Sequence, residues 1–148
     1  MSIGAGEDGV LWRKIRGMTH ALFIYGTLMP GLRLASEMQG AVFLGAAQVQ
    51  GRLIDVGQYP GLLPGVGQVV GEVYEVDHAH LARLDGVEEM VPGDRVASQY
   101  WREEVTVTGG PLQGLRVQAY FYNHPDPSGQ PIPHGDYRRY IREIGRDS

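Results

Sequence analysis

Apolar residues occur in short runs along the chain, and glycines and prolines separate these runs. The run at 21–25 is apolar throughout and predicts a buried strand. At 41–57 the pattern predicts one long or broken strand, with bulges at Gly45 and Gly51. Two Pro-Gly pairs predict that residues 58–67 form a loop. The first half of the chain is therefore predicted to be rich in β-structure.

The second half continues this pattern and adds helical signals. Residues 68–76 alternate in polarity, with Val69 and Val73 on one face, which predicts a strand. Asp77 is a favourable N-cap for a helix over 78–90. The remaining predicted elements are two helical turns at 32–38, strands at 99–109 and 115–124, and a C-terminal helix after the N-cap Asp136.

These elements predict an α+β fold, a small and mostly antiparallel β-barrel with helices at its rim. The chain has 148 residues, and no internal repeat or second core is visible, so we expect one domain over 19–148. Residues 1–18 are polar and weakly patterned. They predict an N-terminal tail, which Leu11 and Trp12 could dock onto the domain.

The composition narrows the classes of partner. A net charge of −4, from 13 basic and 17 acidic residues, argues against a nucleic-acid partner. The arginines near the C-terminus are interpreted as a solvated helix face; they are Arg138, Arg139, Arg142 and Arg146. No run of about 20 apolar residues and no signal peptide is present, so we expect no membrane partner and a cytoplasmic protein. The pattern leaves a monomer and a homodimer both open.

The end of the first predicted strand is a candidate binding site. There Tyr25, Gly26, Thr27 and Leu28 lead into a Met-Pro-Gly bend. A strand that ends in such a bend leaves successive N–H groups unpaired, and these groups can bind a carboxylate or a phosphate. The alternative is an ordinary turn after the strand, with Tyr25 in the core.

A second candidate is the end of the predicted helix over 78–90. Leu84 and Val87 should face the core, and Glu88 lies beside that apolar face. Partial burial raises the pKa of a carboxyl group, which suits a proton shuttle near neutral pH. Glu89 should point outward. The alternative is a solvated helix end at which both glutamates oppose the helix dipole.

Other kinds of site find little support in the sequence. The absence of cysteine excludes disulfides, thiolate nucleophiles and cysteine-based metal sites. His78 and His80 stand at a helix start, where they do not share a face, and no third ligand has a suitable spacing. Nucleophile-elbow, phosphate-loop and dinucleotide motifs are also absent. We therefore expect no metal and no cofactor.

Taken together, six segments resemble the gamma-glutamylcyclotransferase-like family, also called AIG2-like, which includes the gamma-glutamylamine cyclotransferases. The segments are FIYGTLMPG, GEVYEV, LDGVEE, YWREEVTV, AYFYN and HGDYRRY, and they occur in the order typical of the family over about residues 21–143. Each segment alone is a weak signal. Their shared order is fairly specific for the family and its fold.

The resemblance implies roles for individual residues. Residues 25–28 correspond to the family's loop that binds the α-carboxylate of the substrate through backbone amides. Glu88 ends the Leu-Asp-x-x-Glu motif and corresponds to the catalytic glutamate. Further matches in the two later strands are Tyr100, Arg102, Tyr120 and Tyr122, with Tyr100 and Tyr120 implied as substrate-binding. The implied reaction closes a γ-glutamyl group to 5-oxoproline and releases an amine or amino acid, with a small-molecule γ-glutamyl substrate and no cofactor.

Two features depart from the family pattern. Val87 and Glu89 replace an aromatic residue and a glycine around Glu88, and the segment 89–99 is longer than usual. That segment could reshape the pocket or form a lid. Two other functions therefore stay open: a non-catalytic small-molecule or partner-binding module on the same fold, and a different amide cleavage in the same pocket.

Overall fold

The computed structural model describes residues 19–124 and 129–146. In these ranges the strands are β1 (Thr19–Ile24), β2 (Val42–Asp55), β3 (Pro60–Asp77), β4 (Tyr100–Gly109), β5 (Arg116–Tyr122) and β6 (Gln130–Pro131). The helices are α1 (His78–Val87) and α2 (Tyr137–Ile144), and Ala35–Met38 form one 3-10 turn. The tail predicted at 1–18, with Leu11 and Trp12, lies outside the described residues.

The first five strands close a barrel. Four antiparallel pairings join β1 to β3, β3 to β2, β2 to β4 and β4 to β5. A short parallel pairing of β1 with β5, at Leu22 and Phe23, completes the ring. The predicted α+β barrel with peripheral helices is confirmed, and most of its pairings are antiparallel. The parallel closure makes the barrel mixed, which strand patterns alone do not specify.

The hairpin of β2 and β3 forms much of the wall. The bulges predicted at Gly45 and Gly51 are confirmed, because the register shifts at both positions. The loop predicted at 58–67 is wrong, since β3 begins at Pro60 and its first residues pair with the end of β2. A proline is tolerated as the first residue of a strand. The prolines and glycines at 64–67 instead form the extra residues that β3 inserts opposite Gly51 at the bulge. Two glycines in this insertion, Gly65 and Gly67, adopt positive φ.

The barrel interior holds the hydrophobic core. Its wholly buried members include Leu22, Phe23, Val49, Val69, Val73, Val107 and Ala119. Burial of Val69 and Val73 confirms the face predicted for that strand. Leu81 and Leu84 from α1 close one end of the core. No helix among the described residues is long and apolar enough to cross a membrane.

Both predicted helix caps are present. The Asp77 carboxylate accepts a hydrogen bond of 2.7 Å from the His80 N–H at the start of α1, and Asp136 caps α2 in the same way. Helix α1 ends at Val87, three residues earlier than predicted, because a left-handed residue follows it. The segment 32–38 forms only the single 3-10 turn, which is shorter than predicted.

Helix α2 is fastened to the barrel by a buried carboxylate. Asp55, at the end of β2, accepts hydrogen bonds from the Tyr140 hydroxyl at 2.7 Å and from two guanidinium nitrogens of Arg146. Arg138 pairs with Glu72 at 3.2 Å. The solvated-face interpretation is therefore wrong for these two arginines, whose partners lie on strands far away in sequence. Arg139 and Arg142 are exposed, as expected.

Candidate active site

A cavity of about 210 Å³ opens at one end of the barrel, between the end of β1 and the end of α1. The lining residues at the end of β1 are Tyr25, Gly26, Thr27 and Leu28, and those after α1 include Glu88 and Glu89. Tyr59, Tyr100 and Tyr120 line it as well. The structure therefore brings together in one cavity all the residues that the sequence singled out as catalytic or substrate-binding. Arg102 and Tyr122 are not among the lining residues.

The loop at 25–28 has backbone N–H groups that remain available as hydrogen-bond donors. Its carbonyl groups are used, since the Gly26 oxygen accepts from Met29 N–H at 3.0 Å and the Thr27 oxygen accepts from Leu34 N–H at 2.8 Å. In the described part of the chain, no hydrogen bond engages the N–H groups of Gly26, Thr27 or Leu28. A row of unpaired amides beside a cavity is suited to an anion.

Close packing explains the glycine of this loop. A Cβ atom at Gly26 would lie 2.6 Å from the Pro60 Cγ atom, which is a steric clash. Pro60 begins β3 and lines the cavity next to this loop. Glycine thus lets the loop lie directly against β3.

Tyr25 has a structural role that the alternative interpretation of this loop anticipated. Its side chain is buried, and its hydroxyl donates to the Tyr120 carbonyl at 2.6 Å and accepts from Leu62 N–H at 3.2 Å. These bonds tie the end of β1 to β5 and β3. Tyr25 is therefore a core residue that also lines the cavity.

Helix α1 ends in a Schellman motif that presents Glu88. The Glu89 N–H donates to the Gly86 oxygen at 3.1 Å, and the Met90 N–H donates to the Asp85 oxygen at 2.8 Å. This pattern requires Glu89 to adopt the left-handed conformation, with φ of 55°. The chain reverses here, so that Val87, Glu88 and Glu89 all line the cavity.

An ion pair holds the last turn of α1 against β4. Arg102 on β4 donates from Nε and Nη2 to the two carboxylate oxygens of Asp85, at 2.9 and 3.0 Å. The Tyr120 hydroxyl donates to the same carboxylate at 2.6 Å. No separate role was predicted for Asp85, and its position three residues before Glu88 is the only local signal. The anchor explains why Glu88 has a fixed position at the cavity.

Glu88 is the lining residue that titrates near neutral pH. Burial and, as a smaller cause, the neighbouring negative charge of Glu89 together raise the pKa of its carboxyl group to about 7. Burial also raises the pKa values of Tyr25, Tyr100 and Tyr120, so these hydroxyls stay protonated. Each of them donates to an oxygen of the protein; for Tyr100 the acceptor is the Pro60 carbonyl at 2.7 Å. The Glu88 carboxyl group can therefore exchange a proton near neutral pH, whereas these three hydroxyls cannot.

The longer segment at 89–99 forms a closed turn beside the cavity. The Gln99 N–H donates to the Glu89 carbonyl at 3.0 Å and so joins the two ends of the segment. Ser98 is completely buried, and its hydroxyl accepts from the Val91 N–H at 2.8 Å. The Gln99 side chain donates to the Tyr59 hydroxyl at 2.8 Å. The segment thus supplies two residues of the cavity rim, Glu89 and Gln99.

The histidines of α1 face different neighbours. His78 Nδ1 lies 3.4 Å from His20 Nε2, whereas His80 Nε2 lies 2.8 Å from the Glu37 carbonyl. Within 19–124 and 129–146, no group of three or more acidic, histidine or cysteine side chains is placed to hold a metal ion.

The sequence matches relatives of one family. A gamma-glutamylcyclotransferase family protein of Citrobacter rodentium is 40% identical over 67 residues, which cover 45% of this chain and 59% of that protein. The gamma-L-glutamyl-butirosin B gamma-glutamyl cyclotransferase of Niallia circulans is 39% identical over 109 residues, covering 71% of this chain and 68% of the relative. The chain spans less than two thirds of the Citrobacter protein, and the match to a Vibrio cholerae relative covers 65% of that protein.

The fold agrees with this family. The structure of an AIG2-like protein from Mus musculus superposes with a TM-score of 0.69 at 28% identity, over 80% of this chain and 88% of that one. The family model described as gamma-glutamyl cyclotransferase, AIG2-like, matches residues 22–139, which include the cavity loop, Glu88 and the barrel strands. The chain belongs to the gamma-glutamyl cyclotransferase, AIG2-like family.

Proposed function

We propose that this protein is a gamma-glutamylcyclotransferase that converts a γ-glutamyl amide into 5-oxoproline and a free amine or amino acid. One observation carries the proposal: Glu88, whose carboxyl pKa is raised to about 7, lines the same cavity as the unpaired amides of residues 26–28. An anion-binding element and a proton-exchanging group beside one another suit this substrate, because it carries both an α-carboxylate and an α-amine.

The substrate's α-carboxylate binds at the amides of Gly26, Thr27 and Leu28 in this proposal. The γ-glutamyl chain then extends into the cavity between β1 and the end of α1. Tyr100 and Tyr120 supply ring surfaces that line it, while their hydroxyls are engaged by protein oxygens. The partner is thus a small γ-glutamyl compound.

The chemical step is an intramolecular aminolysis. Glu88 accepts a proton from the α-ammonium, the freed amine attacks the γ-carbonyl carbon, and a C–N bond closes the five-membered ring. As the amide C–N bond breaks, Glu88 returns the proton to the leaving nitrogen. The ring nitrogen, which carries two hydrogens after the attack, gives up its second proton, so that a neutral lactam and an ammonium ion are the products. Atoms balance without water or a covalent enzyme intermediate. An amide N–H of the loop can also stabilise the negative oxygen that forms at the carbonyl.

The raised pKa of Glu88 suits both halves of this step. A peptide α-ammonium has a pKa of about 8, and the free α-carboxylate beside the substrate's ammonium raises its pKa further. A pKa of about 7 at Glu88 narrows the gap between base and ammonium and so lowers the cost of the proton transfer. A carboxyl group with an ordinary pKa would be a much weaker base and, once protonated, would lose its proton to solvent more readily. Because the nucleophile is tethered to its target, holding the bent conformer supplies much of the acceleration.

Turnover of a substrate panel tests the proposal. Purified wild type and Glu88→Gln are incubated with γ-glutamyl amines and dipeptides, and 5-oxoproline is measured. Product from the wild type and none from the variant is the expected result. The variant's thermal melt serves as the control for folding. Equal product from both proteins would reject Glu88 as the catalytic base.

The same assay decides between catalysis and the binding-module alternative. A binding module would bind compounds of the panel, which calorimetry measures, yet it would form no 5-oxoproline. The departures at Val87 and Glu89 are the features that favour this second function. Release of the amine without 5-oxoproline would instead indicate a different amide cleavage.

A further inference from the structure

Glu89 occupies a backbone position that favours glycine. Its φ of 55° makes it the single non-glycine residue with positive φ in the part of the chain that the structure describes. A side chain in this conformation is strained relative to glycine, and such strain persists where the surroundings impose it. The Schellman bonds on one side and the Glu89–Gln99 bond on the other do so here.

The carboxylate of Glu89 lies at the cavity rim without a partner of its own. Glu89 is an exposed residue and lines the cavity, and within the described ranges no hydrogen bond or ion pair engages its side chain. Its backbone is fixed at both ends, which confines the carboxylate to the reach of one side chain at the rim. An unpaired charge at the rim of a binding cavity is a candidate for substrate recognition.

One cation also lines the cavity, and it is engaged by a different part of the rim. Arg33 also lines the cavity, where its guanidinium donates to the Gln58 backbone and side-chain oxygens at 3.3 and 3.4 Å. Tyr59 follows Gln58 in the chain, its hydroxyl accepts from the Gln99 side chain, and the Gln99 backbone in turn bonds to Glu89. The part of the rim next to Glu88, where the leaving nitrogen must be, is therefore negatively charged.

We propose that Glu89 is a specificity-determining residue, whose carboxylate favours γ-glutamyl amides in which the released amine carries a further cationic group. The inference rests on the proposed function, since it names the class of leaving group. The scissile nitrogen must lie within reach of Glu88 for proton return, and the group attached to that nitrogen then passes the adjacent residue, Glu89. A cation there is attracted, while a neutral chain gains nothing.

A pair of isosteric substrates tests this inference. γ-Glutamyl-4-aminobutylamide ends in an ammonium group, and γ-glutamyl-n-pentylamide ends in a methyl group at the same position. We expect the wild type to prefer the cationic compound in kcat/KM, and Glu89→Gln to reduce that preference by about two- to fivefold. The preference should also weaken as salt is added. Because a change in the basicity of Glu88 affects both substrates alike, the ratio isolates recognition by Glu89.

A matched variant controls for the overall charge of the protein. Glu104 lies exposed on β4 and does not line the cavity, so Glu104→Gln removes one negative charge elsewhere and should leave the ratio unchanged. An equal ratio in wild type and Glu89→Gln would overturn the inference, as would a wild-type preference for the neutral compound. Turnover of the neutral compound upholds the proposed function whatever the ratio is. If neither is turned over, the ratio of the two dissociation constants, by calorimetry, tests Glu89 in the same way.

Discussion

Replacing Glu89 by glycine should stabilise the protein while weakening its selectivity. Glu89 stands at the position of a Schellman motif that glycine usually occupies, with φ of 55°. The left-handed conformation costs a side-chain-bearing residue about 1–2 kcal/mol. Glycine avoids this cost, but the larger conformational entropy of its unfolded state lowers the free energy of unfolding by about 0.4–1 kcal/mol. The net gain in free energy of unfolding is therefore about 0.5–1 kcal/mol.

Thermal unfolding followed by circular dichroism measures this gain. A chain of 148 residues has an unfolding entropy of about 0.3 kcal/mol/K, so Tm should rise by about 2–3 °C. Glu89→Ala is the matched control, because it removes the charge and keeps the strained side-chain position. We expect the alanine variant to gain much less than the glycine variant. Equal gains in both would refute the strain argument and assign the effect to charge repulsion between Glu88 and Glu89.

Three other predictions concern the base, the α2 anchor and the loop. In pH–rate profiles, kcat/KM should fall as the pH drops through about 7, where Glu88 becomes protonated. Glu89→Gln should move that fall to lower pH, because the variant lacks the neighbouring negative charge that raises the pKa of Glu88. Burial opposes ionisation of Asp55, but hydrogen bonds from Arg146 and Tyr140 still hold its pKa below the usual range. The ionised carboxylate therefore stabilises the fold at pH values above its pKa in the unfolded chain, and this stabilisation is lost as the pH falls through its pKa in the folded protein. Arg146→Ala should therefore cost about 1–3 kcal/mol in neutral urea unfolding, and less below about pH 4. Gly26→Ala should raise KM, since the clash with Pro60 displaces the proposed carboxylate-binding loop. Expressed as free energies, this loss in KM should exceed the loss of folding stability measured from Tm.

Local signals account for most of what the sequence predicted correctly. The caps Asp77 and Asp136 act within four residues, and the bulges at Gly45 and Gly51 follow from glycines within an apolar strand. The alternation of Val69 and Val73 depends on the period of a single strand. Each of these features is fixed by neighbours in sequence, so the pattern predicts them before any tertiary contact is known.

Errors arose where distant contacts decide the structure. Prolines and glycines at 58–67 signal a turn, yet pairing with β2 recruits most of that segment into β3. Arg138 and Arg146 look like solvated residues on a short polar helix, but their carboxylate partners lie on strands 66 and 91 residues away. Pairing over such distances depends on the barrel register, which no local pattern specifies.

The two acidic residues of the Leu-Asp-x-x-Glu motif illustrate both kinds of information. The apolar face of the helix indicated that Glu88 would be partly desolvated, and the structure places it at the cavity with a raised carboxyl pKa. Nothing in the local pattern indicated that Asp85 would bind Arg102 through two hydrogen bonds. That pairing matters for Glu88, because an arginine committed to Asp85 does not neutralise the neighbouring carboxylate. Burial then raises the pKa of Glu88 to about 7 with no arginine charge acting against it, as the proposed proton transfer requires.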